Sequence, residues 1–172
     1  PEQVGVCVVA TLAPDFLTPA AACLLQRELG LREDTVCFDL NAACSGFVSS
    51  LHTAQCLLAA AERKYGLVVG AEVLSRLTDF SDRSTCVLFG DGAGAALVEW
   101  RADYPSLHAV LGCRGDDQVL YAPGVNTPAP SLIHMEGQPV FRFAVEAVPA
   151  CVRQVLDKAG LEPEAVDRFV FH

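Results

Sequence analysis

Three short runs constrain this chain most. Val4 to Thr11, Val36 to Leu40 and Tyr65 to Gly70 are almost unbroken aliphatic and β-branched sequence. Runs of this length and composition read as buried strands, with Val4 to Thr11 covered on both faces. Between them the period changes. Thr18 can cap a helix with Pro19 at its first position, and Ala20 to Leu29 continues it until Gly30. From Ser45 to Lys64 the residues Phe47, Leu51, Ala54, Leu57 and Leu58 recur at helical spacing, and no proline or glycine interrupts them before Gly66. A strand–helix–strand–helix–strand order predicts an α/β fold whose crossovers are right-handed and whose sheet is parallel.

After Gly70 the alternation stops. Ser84 to Phe89 and Ala93 to Trp100 read as two strands joined by Gly90-Asp91-Gly92 in a tight hairpin. The spacing Gly90-x-Gly92-x-x-Ala95 also fits a dinucleotide fingerprint, but no helix of useful length fits between it and Pro105. Leu107 to Cys113 reads as a further strand, and Arg114 to Ile133, rich in Gly and Pro, as a long loop. Gln138 to Ala159 has helical periodicity, with Pro149 expected to kink or break it and Gly160 to stop it. Val166 to Phe171 reads as a last strand with His172 at its carboxyl end, where open α/β sheets place ligands.

The 172 residues suffice for one domain with a real core, and 52% are hydrophobic against 19% charged. A formal net charge of −9 argues against sequence-independent nucleic-acid binding. No signal peptide or membrane-spanning run is visible. The eight cysteines include no C-x-x-C pair, so zinc and redox motifs are not expected and a reducing cytosol fits best. Pro1 opens the chain and His172 directly follows an apolar run, so both ends read as cut.

One cysteine stands apart. Cys44 falls where the Val36 strand ends and a long helix begins, amid Ala42, Ala43, Ser45 and Gly46. Unpaired N–H groups and the positive end of a helix dipole favour an anion there, and small neighbours leave the sulfur approachable: the setting of an activated nucleophile. Core filling is the alternative, since free cysteines are commonly buried. Cys7, Cys23, Cys37, Cys56, Cys86, Cys113 and Cys151 mostly lie in apolar runs and read as structural. His172 could converge with Cys44 as a base or hydrogen-bond donor. His52, His108 and His134 lack such a placement, and His52 reads as a half-exposed helix residue. The local signature of a papain-like protease is absent around Cys44.

The residues Asp39-Leu40-Asn41-Ala42-Ala43-Cys44-Ser45-Gly46-Phe47, then Tyr65 to Glu72, Asp82-Arg83 and Leu88 to Ala95 closely resemble β-ketoacyl-acyl-carrier-protein synthase III. Met135-x-Gly137-x-x-Val140-Phe141 and Val166 to His172 continue the match in the family's order, so the resemblance covers essentially the whole chain. It implies a thiolase fold, five layers αβαβα, acting as a homodimer in the cytoplasm. This chain would be the later part of its first half (1–104) and the start of its second (105–172). It further implies that Cys44 takes an acyl group from acyl-CoA as a thioester, which the carbanion from decarboxylated malonyl-acyl-carrier protein attacks. His172 would stabilise the enolate, with the Cys44 N–H in the oxyanion hole. Substrate-binding roles fall by resemblance to Arg83 (the nucleotide end of CoA), Phe89 (pocket wall), Thr18 (the partner subunit's acyl pocket), Met135, Gly137 and Phe141. A surface pairing of Arg83 with Asp82 is the plain alternative. No cofactor or metal is implied, because the CoA thioester is a substrate.

Departures from the family pattern set expectations too. Phe171 stands where the family places proline, and the Gln-Ala-Asn that usually follows the histidine, a second asparagine and an amino-terminal portion are not in this sequence. The isolated chain is therefore expected to be incomplete for condensation. A non-catalytic fragment retaining core and dimer surface is one competing reading, and a relative such as hydroxymethylglutaryl-CoA synthase another. Neither the starter acyl group nor fatty-acid versus polyketide duty follows from these residues.

Overall fold

The computed structural model describes residues 1–124, 126 and 132–172. These divide into two compact units: Pro1–Val73 with Asp91–Leu107, and Leu74–Gly90 with His108–His172.

The first unit is built on β1 (Val4–Ala10), α1 (Ala21–Glu28), β2 (Val36–Leu40), α2 (Gly46–Leu58), β3 (Tyr65–Val73) and β4 (Asp91–Glu99). The sheet order is β2-β1-β3-β4; β1 runs parallel to both its neighbours, and β4 is antiparallel to β3 over nine paired residues. The expected parallel α/β core is present. Every residue of β1 is buried, as its apolar run requires of a strand in mid-sheet. Its alternate side chains serve opposite faces: Cys7 and Val9 pack with Ala22 and Leu25 of α1, Val6 and Val8 with Ala54 and Leu58 of α2. The crossover from β1 to β2 and the return crossover from β2 past β1 to β3 run in opposite directions across the sheet with their helices on opposite faces, so both have the same hand.

Several local expectations are corrected. β2 is an edge strand and half-exposed, not buried. Thr18 does not cap α1. Ala20 takes that position without a side-chain bond, and Asp39 of β2 supplies the acceptors instead. The predicted helix to Lys64 ends at Leu58, the last side chain seated on the sheet. The amides of Ala60 and Ala61 then close short turns onto Leu57 and Leu58 that lead back to β3. Gly30 and Gly160 do end α1 and the later helix, at φ 62° and 65°.

Ser84 to Phe89 is not a strand, and Gly90-Asp91-Gly92 is not a hairpin turn. The hairpin partner of β4 is β3, with residues 74–90 as an excursion between them. Asp82 forces the coil. Its Oδ1 accepts from the Ser84 N–H (2.9 Å) and hydroxyl (2.6 Å), and its Oδ2 from the Thr85 hydroxyl (2.6 Å). Asx bonding of this kind turns the chain where extension would be needed. Because Gly92 and Ala95 lie inside β4, no helix follows them and the fingerprint reading falls.

In the second unit, α3 (Gly137–Ala159) runs through Pro149 unbroken, against the expected interruption. Its contacts with the preceding segment include Lys158 Nζ donating to the Ala109 carbonyl (2.9 Å) and Arg114 lying over the Phe143 ring (5.1 Å). The predicted loop 114–133 contains β5 (Leu120–Tyr121), paired with β6 (His134–Met135); residues 125 and 127–131 of that loop lie outside those described. Leu107 to Cys113 and Val166 to Phe171 form no strands. A strand needs a neighbour's N–H and C=O groups, and among the described residues none pairs with either stretch. Val170 is 91% exposed.

Candidate active site

Cys44 sits in a 3₁₀ turn, Ala43–Ser45, between the end of β2 and the start of α2. The Asn41 side-chain oxygen accepts the Ala43 N–H (3.2 Å), and the Ala42 carbonyl accepts both the Ser45 N–H (3.1 Å) and hydroxyl (2.9 Å). These bonds hold Ala43 at φ 44°, in the left-handed region that costs a residue with a Cβ about 1–2 kcal/mol. Strain at Ala43 turns the next side chain off the strand and out of the helix. The Cys44 side chain is accordingly exposed. Gly46 allows the close fit beneath, since a Cβ there would stand 3.2 Å from that of Ala10. The start of α2 is thus pressed onto β1.

Other thiols differ. Cys7 is fully buried, and burial with Cys37 beside it pushes its pKa up to about 12; Cys37 is raised by burial as well. Contrary to the structural reading, Cys56, Cys113 and Cys151 are exposed. The Cys56 Sγ lies 3.9 Å from Nε2 of His52, a half-buried residue of α2. Among the described residues no group of three or more His, Cys, Asp or Glu could hold a metal ion, and no helix is long and apolar enough to cross a membrane.

Thr18 shares the first unit with Cys44 and is exposed on the connection between β1 and α1. The remaining predicted site residues belong to the second unit. Arg83 is exposed and makes no ion pair among the described residues, so its pairing with Asp82 is absent; the Asp82 carboxylate is engaged by Ser84 and Thr85. Phe89 is half-buried in the same excursion. Met135 in β6 opposes Leu120, Gly137 begins α3, and Phe141 one turn on is 67% exposed. Those three line one continuous stretch. His172 is exposed beyond the unpaired 166–171 segment, where Phe169 and Phe171 stack at 5.9 Å.

Two residues inside the family-like motif runs gain a role only from the structure. Asp39 is the single acid in Val-Cys-Phe-Asp-Leu and Glu72 the single acid of β3; Asp39 accepts the first two amides of α1, Ala21 and Ala22, and Glu72 the Leu12 amide of the β1–α1 connection. An isolated charge in an otherwise apolar strand was the available signal. A cavity of about 320 Å³ opens beside Glu72 at the carboxyl ends of β1 and β3, lined by Val9, Thr11, Pro14, Ala71 and Ala93 among others.

The arrangement of sheet, strained turn and helix is that of the thiolase fold. A synthase III crystal structure from Thermus thermophilus superposes on 95% of this chain and 53% of its own length, at a TM-score of 0.86 and 38% identity. The priming β-ketosynthase of the R1128 polyketide pathway matches 92% of the chain and 50% of its own, at 0.83 and 34%. The family model of 3-oxoacyl-[acyl-carrier-protein] synthase III matches residues 38–115, which include Cys44, Arg83 and Phe89. The chain is also 41% identical to β-ketoacyl-[acyl-carrier-protein] synthase III of Clostridium acetobutylicum, over its whole length and 56% of the relative's. The chain is similar to the synthase III family along its whole length, and spans about half the length of the relatives it matches.

Proposed function

We propose that this chain carries the nucleophile half-reaction of an acyltransferase that begins fatty-acid or related polyketide chains. The observation that carries the reading is Cys44, exposed on a strained turn at the amino end of α2. The Cys44 thiolate attacks the thioester carbonyl of an acyl-CoA. The C–S bond to CoA breaks, CoA leaves as the thiol, and the acyl group stays on Cys44. Malonyl-acyl-carrier protein then loses carbon dioxide. Its carbanion attacks the acyl-Cys44 carbonyl and returns the thiolate as the ketoacyl product forms.

In this scheme the Cys44 N–H stabilises the oxyanion, and His172 donates to the enolate oxygen of the decarboxylating malonyl group. Arg83 binds the nucleotide end of CoA, while Phe89, Met135, Gly137 and Phe141 shape the substrate passage. Thr18 reaches the acyl pocket of a partner subunit in a cytoplasmic homodimer. A threonine there leaves more room than a phenylalanine, so longer or branched starters should be accepted. No cofactor is needed, because both substrates arrive as thioesters. The fatty-acid reading is supported by the clostridial relative and the polyketide one by the priming ketosynthase, each named for its own protein.

The test supplies acyl-CoA and malonyl-acyl-carrier protein to the chain and follows its intact mass together with ketoacyl product. Acylation that disappears in Cys44→Ala, with no ketoacyl product from these 172 residues alone, is expected. Acylation undiminished in that variant would contradict the reading.

A further inference from the structure

The connection from β1 to α1 ends in an exposed tip that includes Phe16, Leu17 (79% exposed) and Thr18. Loops held only at their ends tend to wander. Each end of this one is tied to a neighbouring strand by a carboxylate. At the leading end, Glu72 of β3 accepts the Leu12 N–H on Oε1 (2.7 Å) and the Thr11 hydroxyl on Oε2 (3.3 Å). The Thr11 oxygen in turn accepts the Ala13 N–H (3.2 Å). At the trailing end, Asp39 of β2 accepts the Ala21 N–H on Oδ2 (2.7 Å) and the Ala22 N–H on Oδ1 (2.9 Å). Asp39 stands on the strand that delivers Cys44.

We propose that Asp39 and Glu72 are positioning residues for acyl selection. They fix the 12–20 connection against the sheet that presents Cys44, and so fix where Thr18 stands. This rests on the reading of Thr18 given above. The chemistry of the two side chains fits the task. A carboxylate offers two acceptors and no donor, whereas an amide would turn an NH₂ toward a backbone N–H. The bonds are charge-assisted and join parts of the chain 17 to 60 residues apart. Asp39 also links α1 to the very strand that ends at the nucleophile, so a loosened α1 would shift Thr18 without moving Cys44.

The test compares Asp39→Asn and Glu72→Gln with wild type in the full chain. Amides of residues 12–22 should exchange with deuterium about tenfold faster or more, the scale of a lost charge-assisted hydrogen bond. Exchange in α2 and iodoacetamide alkylation of Cys44 should stay within about twofold, as expected of parts that do not share those bonds. The ratio of second-order rate constants for acyl-Cys44 formation between long and short acyl-CoAs should shift by about threefold or more. A purely structural role would lower stability without moving that ratio. Thr18→Phe should narrow the acyl range in wild type and narrow it less in Asp39→Asn. If the amide variants fail to fold, Asp39→Glu and Glu72→Asp keep both acceptors at altered reach and are read in the same way.

Unchanged exchange at 12–22, or faster exchange with an unchanged acyl ratio, would overturn the proposal. If the wild type forms no acyl-Cys44 with any thioester, the functional reading has failed. The anchoring is then still decided by the exchange rates, faster in support and unchanged against.

Discussion

The turn that carries Cys44 and the segment that carries His172 are both preceded by apolar runs that read as strands, yet only the first becomes one. Val36 to Leu40 pairs with β1 residue by residue, from Val6 opposite Val36 to Ala10 opposite Leu40. Val166 to Phe171, richer still in Val and Phe, joins no strand ladder among the described residues. Local composition sets the tendency to extend; a ladder partner decides whether extension is realised. The Cys44 turn rests on a strand and helix whose partners this sequence supplies, and its strain at Ala43 is held by that packing.

The largest effect that could break this comparison is a core deletion. Leu58, 2% exposed between α2 and the sheet, should lose about 2–5 kcal/mol of stability on change to Ala. Phe171→Ala, in the unpaired segment, should stay within about 0.5 kcal/mol, as surface substitutions do. Urea unfolding of the full chain measures both. Equal losses would show that the 166–171 segment is as well packed as the core.

An intermediate effect concerns the 82–85 turn. Hydrogen bonds from the Ser84 and Thr85 hydroxyls, with the Ser84 amide, hold the Asp82 carboxyl at a pKa of about 2, below its usual 3.8. A depressed folded-state value means that the ionised side chain stabilises the fold. That contribution is complete above the usual value and is lost as pH falls through about 2. Exchange of the Ser84 and Thr85 amides should therefore rise between pH 4 and pH 2 more than that of β1. Asp82→Ala should remove the difference. Identical acid profiles for turn and strand would contradict this.

How far the sequence could be read follows from the same contrast. Unbroken apolar runs found β1, β2 and β3, and helical spacing and terminators found α1, α2 and α3, because each has enough apolar side chains to declare the layer it packs in. Such signals failed at Ser84 to Phe89, where one aspartate overrides the propensity of Val87 and Leu88, and at Val166 to Phe171, where pairing is missing. Position alone marked Cys44, since its strand-to-helix place could be read without tertiary contacts. Asp39 and Glu72 were hidden because their partners lie 17 to 61 residues away. The roles proposed for Arg83, Phe89, Met135, Gly137 and Phe141 rest on family resemblance, as no local physics distinguishes them from other exposed or half-buried residues.

A smaller effect is expected at Arg83. In a complete enzyme carrying this sequence, Arg83→Ala should raise KM for acyl-CoA while leaving kcat nearly unchanged, the signature of binding lost equally from ground and transition states. A fall in kcat at constant KM would place Arg83 in the chemistry. The smallest is at Thr18. Thr18→Phe should shift preference toward acetyl-CoA by about 1–3 kcal/mol or less in differential kcat/KM, the usual range for filling a hydrophobic pocket. A strong acetyl preference already present before the change would contradict the size argument.

The central claim is that Cys44 is the acyl-accepting thiol, and mass spectrometry after brief exposure to acyl-CoA tests it most directly. One acyl group per chain, mapped to the Cys44 peptide and blocking its alkylation by limiting iodoacetamide, is the expected result. Acylation of Cys56, Cys86 or another thiol ahead of Cys44, or none at Cys44 in a folded full chain, would contradict the account.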